Sequence, residues 1–167
     1  MGDGHGEMEL SGGTLRWPSH FPPTGRWKRF FIGVRSLGPD LSFFRGFREL
    51  QRQRDESSLA AWPEGEQRDA AVLMGRAFQA ALGWPKPYFL PGDCFSVIAY
   101  GPRFVSLDHM GWDVAAVEIE EQLHRKFPAG FWQRFETQNT SFGEVVAAVL
   151  ALPCSTEERK KRWRFWQ

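Results

Sequence analysis

Residues 67–83 read QRDAAVLMGRAFQAALG, and the apolar side chains of this stretch recur every three or four positions. The side chains that share one face are Ala70, Leu73, Met74, Ala77, Phe78, Ala81 and Leu82. This period predicts an amphipathic helix from Gln67 to Leu82, and Gly83 stands where helices commonly end on a glycine. The predicted fold class is therefore mainly α: a small helical bundle with at most a short strand or hairpin, preceded by an aromatic-rich N-terminal extension.

Three further elements are predicted after this helix. The compact apolar run Cys94–Tyr100 favours a short strand. Asp113 is a suitable N-cap for a helix that reaches about Phe127, before Pro128. Ser141 and Glu144 have the spacing of a capping box, which predicts a last helix to about residue 152.

The part of the chain before the helix divides at residues 62–65, WPEG, which form a break. Upstream of it, residues 27–37 carry apolar side chains at helical spacing, and Asp40 can cap a second short helix whose polar end, residues 48–56, is expected to be solvated. The predicted organisation is an irregular arm (1–25), a basic aromatic extension that packs on the core (26–62), a helical domain (63–153) and a basic aromatic tail (154–167).

Charge is unevenly distributed along a chain whose net charge is only +1. The net charge is −3 over residues 1–15, +7 over 16–54, −6 over 55–153 and +3 over 154–167. The basic parts are also rich in the 15 Phe and 8 Trp of the chain, so we expect them to fold back onto the acidic core. The mixture of basic and aromatic side chains in these parts also suits contact with nucleic acid or a membrane surface. A pI near 7.9 makes nucleic acid the less favoured partner.

In the order and spacing of its elements, the stretch 67–152 resembles an acyl carrier protein. The match lies in a long first helix, a long loop, the sequence MGWD at 110–113 leading into a Glu-rich helix, and a last helix from Ser141. A carrier has a serine directly after this aspartate for its phosphopantetheine group, whereas Val114 stands here and has no hydroxyl. The resemblance therefore implies a carrier-like helical domain that lacks the prosthetic group. In the alternative, the domain is a carrier and the group is attached at Ser106.

Catalytic and metal-binding patterns are weak. His5, His20, His109 and His124 have no metal-ligand spacing, and the best cluster is His109 with Asp108 and Asp113. Cys94 follows a Pro-Gly loop, where an exposed thiolate is chemically feasible if His109 activates it and Asp108 orients His109. The alternative is a small buried thiol. His124 lies four residues after Glu120 and three after Glu121, so an ordinary contact within the helix is expected. No nucleotide-binding or hydrolase motif occurs, so neither an enzyme nor a cofactor is predicted.

The predicted function is that of a binding module for another protein. Its predicted partner-binding residues, grouped around the Glu-rich helix, are Asp108, Trp112, Asp113, Glu118, Glu120 and Glu121. By analogy with small immunity proteins, which block a toxin's active site with a charged face, the partner is expected to be a cognate basic toxin. A degenerate carrier and a nucleic-acid accessory protein remain the alternatives. Two isolated cysteines, no leader-like segment and no apolar run of membrane-spanning length predict a cytoplasmic protein.

Overall fold

The fold was analysed in a computed structural model that describes residues 13–19, 21, 42–102, 109–135 and 140–154. These residues form a mainly helical bundle, as predicted, and their only β-type pairings are two isolated bridges. Its elements are α1 (Phe43–Gln53), the 3-10 helix η1 (Glu56–Ala61), α2 (Glu66–Leu82), α3 (Phe95–Tyr100), α4 (His109–Leu123), the 3-10 helix η2 (Gln133–Phe135) and α5 (Phe142–Leu150).

Helix α2 is the centre of the bundle, because α3, α4 and α5 all pack against it. The sequence predicted this helix to within one residue, and Gly83 ends it in the left-handed conformation at φ +77°. Helix α4 approaches closely at Gly111, where a Cβ atom would lie 2.9 Å from the carbonyl oxygen of Ala81. Glycine at this position lets the two backbones pack directly on one another.

The core is built largely from aromatic rings around Phe78 of α2. The ring of Phe78 lies 5.7 to 6.3 Å, between centroids, from four others: Phe89, Phe95, Trp112 and Phe142. Most of these pairs meet edge to face, which is a favourable arrangement for aromatic quadrupoles. The high Phe and Trp content of the chain therefore contributes to one shared core.

The N-terminal segment and α1 contribute to this core as well. Helix α1 buries Phe43, Phe44 and Phe47, and the ring of Trp17 lies about 6 Å from each of them. Leu15 has no exposed surface at all. The described part of the arm is thus packed into the bundle, although it forms no long regular element.

Three local predictions were wrong. Residues 95–100 form a helix rather than a strand, because a short apolar run fits either structure and only Cys94 finds a β-type partner, Ser141. Helix α4 begins at His109 and ends at Leu123, so Asp113 lies inside the helix and does not cap it. The polar stretch 48–56 is not uniformly solvated, since Gln51 is completely buried and Arg54 is only 6% exposed.

The predicted capping box of α5 is confirmed in both halves. The Ser141 hydroxyl accepts from the backbone N–H of Glu144, and the Glu144 carboxylate accepts from the backbone N–H of Ser141 at 2.7 Å. The predicted helix at 27–37 and most of the basic tail lie outside the described residues.

Candidate functional site

The face of α4 that points away from the core combines two exposed valines with acidic side chains. Ala115 and Ile119 are fully buried against the bundle, whereas Val114 and Val117 are 60% and 53% exposed. At 100° per residue, Val114 and Val117 lie on the side opposite Ile119. The two valines, about one turn apart, add apolar surface to this side of the helix.

Three carboxylates surround these valines: those of Asp113, Glu118 and Glu121, all of which are exposed. Glu118 accepts a hydrogen bond from the amide of Gln122 on the same helix. None of the three forms an ion pair with any of the residues that the structure describes. We call the surface formed by Val114, Val117, Asp113, Glu118 and Glu121 the α4 face.

The carboxylate of Glu120, unlike those of Glu118 and Glu121, contacts the turn that follows α4. It accepts from the backbone N–H of Phe127 at 2.6 Å and from the ammonium group of Lys126 at 3.3 Å. It therefore holds the turn that follows α4. His124 lies in that turn at φ +52°, so the helix ends before it and the predicted contact between His124 and Glu120 within a helix does not form.

Trp112 lies on the core side of the same helix. Its ring stacks on Phe78 at 5.7 Å with an angle of 14° between the planes, and meets Trp132 edge to face at 5.2 Å. Asp108 lies outside the described residues, as does Ser106. Of the predicted partner-binding residues, the structure therefore brings Asp113, Glu118 and Glu121 together on one exposed surface and assigns packing or turn contacts to Trp112 and Glu120.

The most elaborate polar site lies elsewhere, at a buried ion pair between Arg54 and Asp93. Arg54 is 6% exposed and Asp93 fully buried, and the guanidinium donates to both carboxylate oxygens at 2.6 and 2.8 Å. The same carboxylate accepts from the backbone N–H groups of Leu15 and Leu90 at 2.8 and 2.7 Å. Arg54 also donates to the carbonyl oxygen of Gly13 at 2.7 Å.

This ion pair joins four separate stretches of chain, because the carbonyl of Asp93 also accepts from the backbone N–H of Phe142 at 2.7 Å. We call it the Asp93 junction. Sequence reasoning missed it: Arg54 stands in the polar stretch 51–54, and Asp93 in a Pro-Gly loop carries no pattern that predicts burial. Every hydrogen-bonding position of the carboxylate is used inside the protein, which is the arrangement of a structural rather than a reacting group.

Cys94 is buried, not exposed as a nucleophile requires. It is 7% exposed, and its sulfur lies 3.3 Å from the hydroxyl oxygen of Ser96. The side chain of His109 lies outside the described residues, so the predicted activation of Cys94 has no structural placement. The alternative prediction of a small buried thiol agrees with its position.

A cavity of about 390 Å³ lies beside Cys94, between residues 16–19 of the arm and the loop that precedes α5. Among the described residues that line it, Arg16 alone carries a formal charge. Among the residues that the structure describes, no group of His, Cys, Asp and Glu side chains has the placement of a metal site. Likewise, none of the described helices is long and apolar enough to cross a bilayer.

Comparisons of this chain with protein-family models, curated proteins and solved structures find no match. The resemblance of residues 67–152 to acyl carrier proteins therefore stays a prediction. Of the features described above, the α4 face is the one that supports a function.

Proposed function

We propose that this protein is a non-enzymatic binding module that recognises a basic protein through the α4 face. The observation that carries the proposal is the combination of two exposed valines with three acidic side chains that have no ion-pair partner among the described residues. An apolar centre with a charged rim is the usual composition of a protein–protein interface. The charges on its rim also favour long-range attraction of a partner of opposite sign.

A toxin with a basic active site is the partner class that we propose. Acidic side chains that approach such a site replace the substrate's negative charge and block access to it, without any chemistry by the binding protein. The rigid support of α4 favours this role, since Ala115 and Ile119 anchor the helix in the core and leave its outer face intact. A preformed surface binds with a smaller entropic cost than one that must become ordered.

The test begins with a photo-reactive amino acid at position 117, introduced into the full chain in its native cell. The partner that it captures is then purified, and its dissociation constant is measured against the wild type and against Glu118→Lys/Glu121→Lys. We expect the double variant to bind at least about tenfold more weakly, a loss of roughly 1.4 kcal/mol or more. The salt dependence of association should also decrease.

The matched control is Glu49→Lys/Glu56→Lys, which reverses two exposed carboxylates on α1 and η1. It changes the net charge of the protein by the same amount but leaves the α4 face unaltered. Equal loss of affinity in the two double variants would show that only net charge matters and would contradict the proposal. Glu120 is kept unchanged in both, because it holds the turn after α4.

A further inference from the structure

We propose that residues 155–167, the basic aromatic tail of this same chain, bind the α4 face and compete there with the partner. The competition rests on the proposed function, whereas the contact between tail and helix can be tested without any partner. Three observations support this contact: the point at which the chain leaves the described structure, the direction in which it leaves, and the order of side chains on the two surfaces.

The end of the described chain is fixed beside the carboxyl end of α4. Arg125 and Cys154 form an isolated antiparallel bridge, and the guanidinium of Arg125 donates to the carbonyl oxygen of Leu152. Arg125 is itself held by Glu66 of α2 at 3.1 Å. Because the pairing is antiparallel, the chain at Cys154 is directed back toward α4 rather than away from the bundle.

The tail is long enough to cover the whole helix. It has 13 residues, which span up to about 45 Å when extended. The 15 residues of α4 rise about 22 Å. Even in a helical conformation, which the sequence SxxE at 155–158 favours, the tail spans about 20 Å.

The charges and apolar groups of the two surfaces occur in matching order. Counted from its carboxyl end, the α4 face presents Glu121, Glu118, Val117, Val114 and Asp113. Counted from Cys154, the tail presents Glu157 and Glu158, then four bases at 159–162, then Trp163, and then Arg164, Phe165 and Trp166. When its two glutamates lie at the turn after α4, a chain running back along the helix brings its bases to Glu121 and Glu118 and its aromatic rings to the valines beyond them.

The net charge of the tail is +3, and the α4 face carries three carboxylates. Opposite charges at a solvent-exposed contact add little affinity each, so the aromatic side chains must supply most of the contact. Trp and Arg are the residues most enriched at the centres of interfaces, and the tail holds both. We therefore favour the α4 face over nucleic acid as the binding partner of the tail, because a tail stacked on bases would leave Val114 and Val117 uncovered.

The first experiment measures binding of a fluorescent synthetic peptide of residues 155–167 to full-length chains. The wild type is compared with a chain that carries Trp163→Ser/Phe165→Ser/Trp166→Ser, which keeps the length and charge of the tail but removes the rings that supply most of its contact with the α4 face. We expect the peptide to bind this altered chain at least about tenfold more tightly than the wild type, whose own tail occupies the face. Equal binding to the two chains, or no binding to the altered one, would overturn the proposal.

The same altered chain supplies the controls for position. Adding Glu118→Lys/Glu121→Lys should remove peptide binding, whereas adding Glu49→Lys/Glu56→Lys should leave most of it. Peptide binding that survives the first pair would place the tail on another surface and contradict the proposal. Since no external partner takes part, this result is independent of whether the proposed toxin-binding function holds.

A cross-linking experiment on the full chain tests the contact directly. Val114→Cys/Gln167→Cys should form an intramolecular disulfide under mild oxidation, identified by mass spectrometry of the linked peptides. Gln53→Cys/Gln167→Cys, with its partner cysteine at an exposed position of α1, is the control for random encounter. Equal yields from the two pairs would overturn the proposal.

Discussion

The Asp93 junction and the α4 face both carry acidic side chains, but they use them in opposite ways. At the junction, one carboxylate accepts two hydrogen bonds from Arg54 and two from backbone N–H groups, with no exposed surface remaining. On the α4 face, three carboxylates surround exposed valines and form no ion pair with described residues. The first arrangement stabilises the fold, and the second leaves binding capacity outside it.

The difference teaches how charge can be read in a small protein. A buried charge must be neutralised within the molecule, because its removal from water costs several kcal/mol. An exposed charge has no such requirement, so it contributes little to stability and is available for another molecule. Accordingly, substitutions at the junction should change the free energy of unfolding much more than substitutions on the α4 face.

The largest effect is expected from Arg54→Ala. This change leaves the carboxylate of Asp93 buried without its countercharge, which should reduce the free energy of unfolding by about 3–5 kcal/mol. Urea denaturation of the full chain measures it. Arg52→Ala, which breaks an exposed ion pair with Glu49, should cost less than about 0.5 kcal/mol. Similar losses in both variants would mean that the buried ion pair of the junction contributes no more to stability than an exposed one.

A second large effect is expected at Leu15, which brings the N-terminal arm to the junction. Its side chain is fully buried and its backbone N–H donates to Asp93. Leu15→Ala should destabilise the protein by about 2–5 kcal/mol, because it leaves a cavity in the core. The matched change Arg16→Ala at the next, exposed position should have little effect. An unchanged urea midpoint for Leu15→Ala would show that the arm is not part of the folded unit.

An intermediate effect is expected at the capping box of α5, where a carboxylate is exposed but satisfied. Ser141→Ala removes one cap from the helix and should cost about 1 kcal/mol in the same assay. The control Thr140→Ala, one residue outside the box, should cost less. Equal losses would indicate that the box contributes nothing of its own.

The same cap gives a dependence on pH. Hydrogen bonds from the backbone N–H and hydroxyl of Ser141 lower the pKa of Glu144 below its usual value of 4.5. This stabilisation is therefore present above about pH 4.5 and is lost as the pH falls through the lower pKa of the folded state. Glu144→Gln should show a smaller loss of stability over this acidic range than the wild type. An identical pH profile would contradict the assignment.

The smallest effect on stability is expected from Val114→Ser/Val117→Ser in the chain that carries Trp163→Ser/Phe165→Ser/Trp166→Ser, because the tail of that chain no longer covers the two valines. Both side chains are more than half exposed, so the free energy of unfolding should change by less than about 0.5 kcal/mol. The control Val145→Ser/Val149→Ser, at two fully buried positions of α5, should unfold the protein or come close to it. A large loss from the first pair would mean that Val114 and Val117 serve the fold rather than a partner.

The sequence predicted those elements whose signals are local. The apolar period gave α2, and the SxxE spacing gave the capping box of α5. The failures are those where distant parts of the chain decide. The run 95–100 is compatible with strand or helix until its surroundings are known, and Arg54 is buried only because Asp93 lies opposite it, 39 residues away.

The candidate site was predictable in part for the same reason. Periodicity along α4 separates Glu118 and Glu121 from Glu120, so the sequence could indicate a shared face. It could not indicate that Glu120 would hold the turn after the helix, because that contact depends on where α4 ends. Nor could the sequence indicate that the ring of Trp112 would stack on Phe78, because that contact depends on how α4 packs against α2.

The most direct test of the account measures two quantities on one variant, Glu118→Lys/Glu121→Lys: its free energy of unfolding and its dissociation constant for the partner captured at position 117. Both quantities are measured in the chain that carries Trp163→Ser/Phe165→Ser/Trp166→Ser, so that the tail contributes to neither. We predict stability within about 0.5 kcal/mol of this parent chain together with at least about tenfold weaker binding. Unchanged binding, or a loss of binding that merely follows a loss of stability, would contradict the claim that the α4 face is the protein's binding surface.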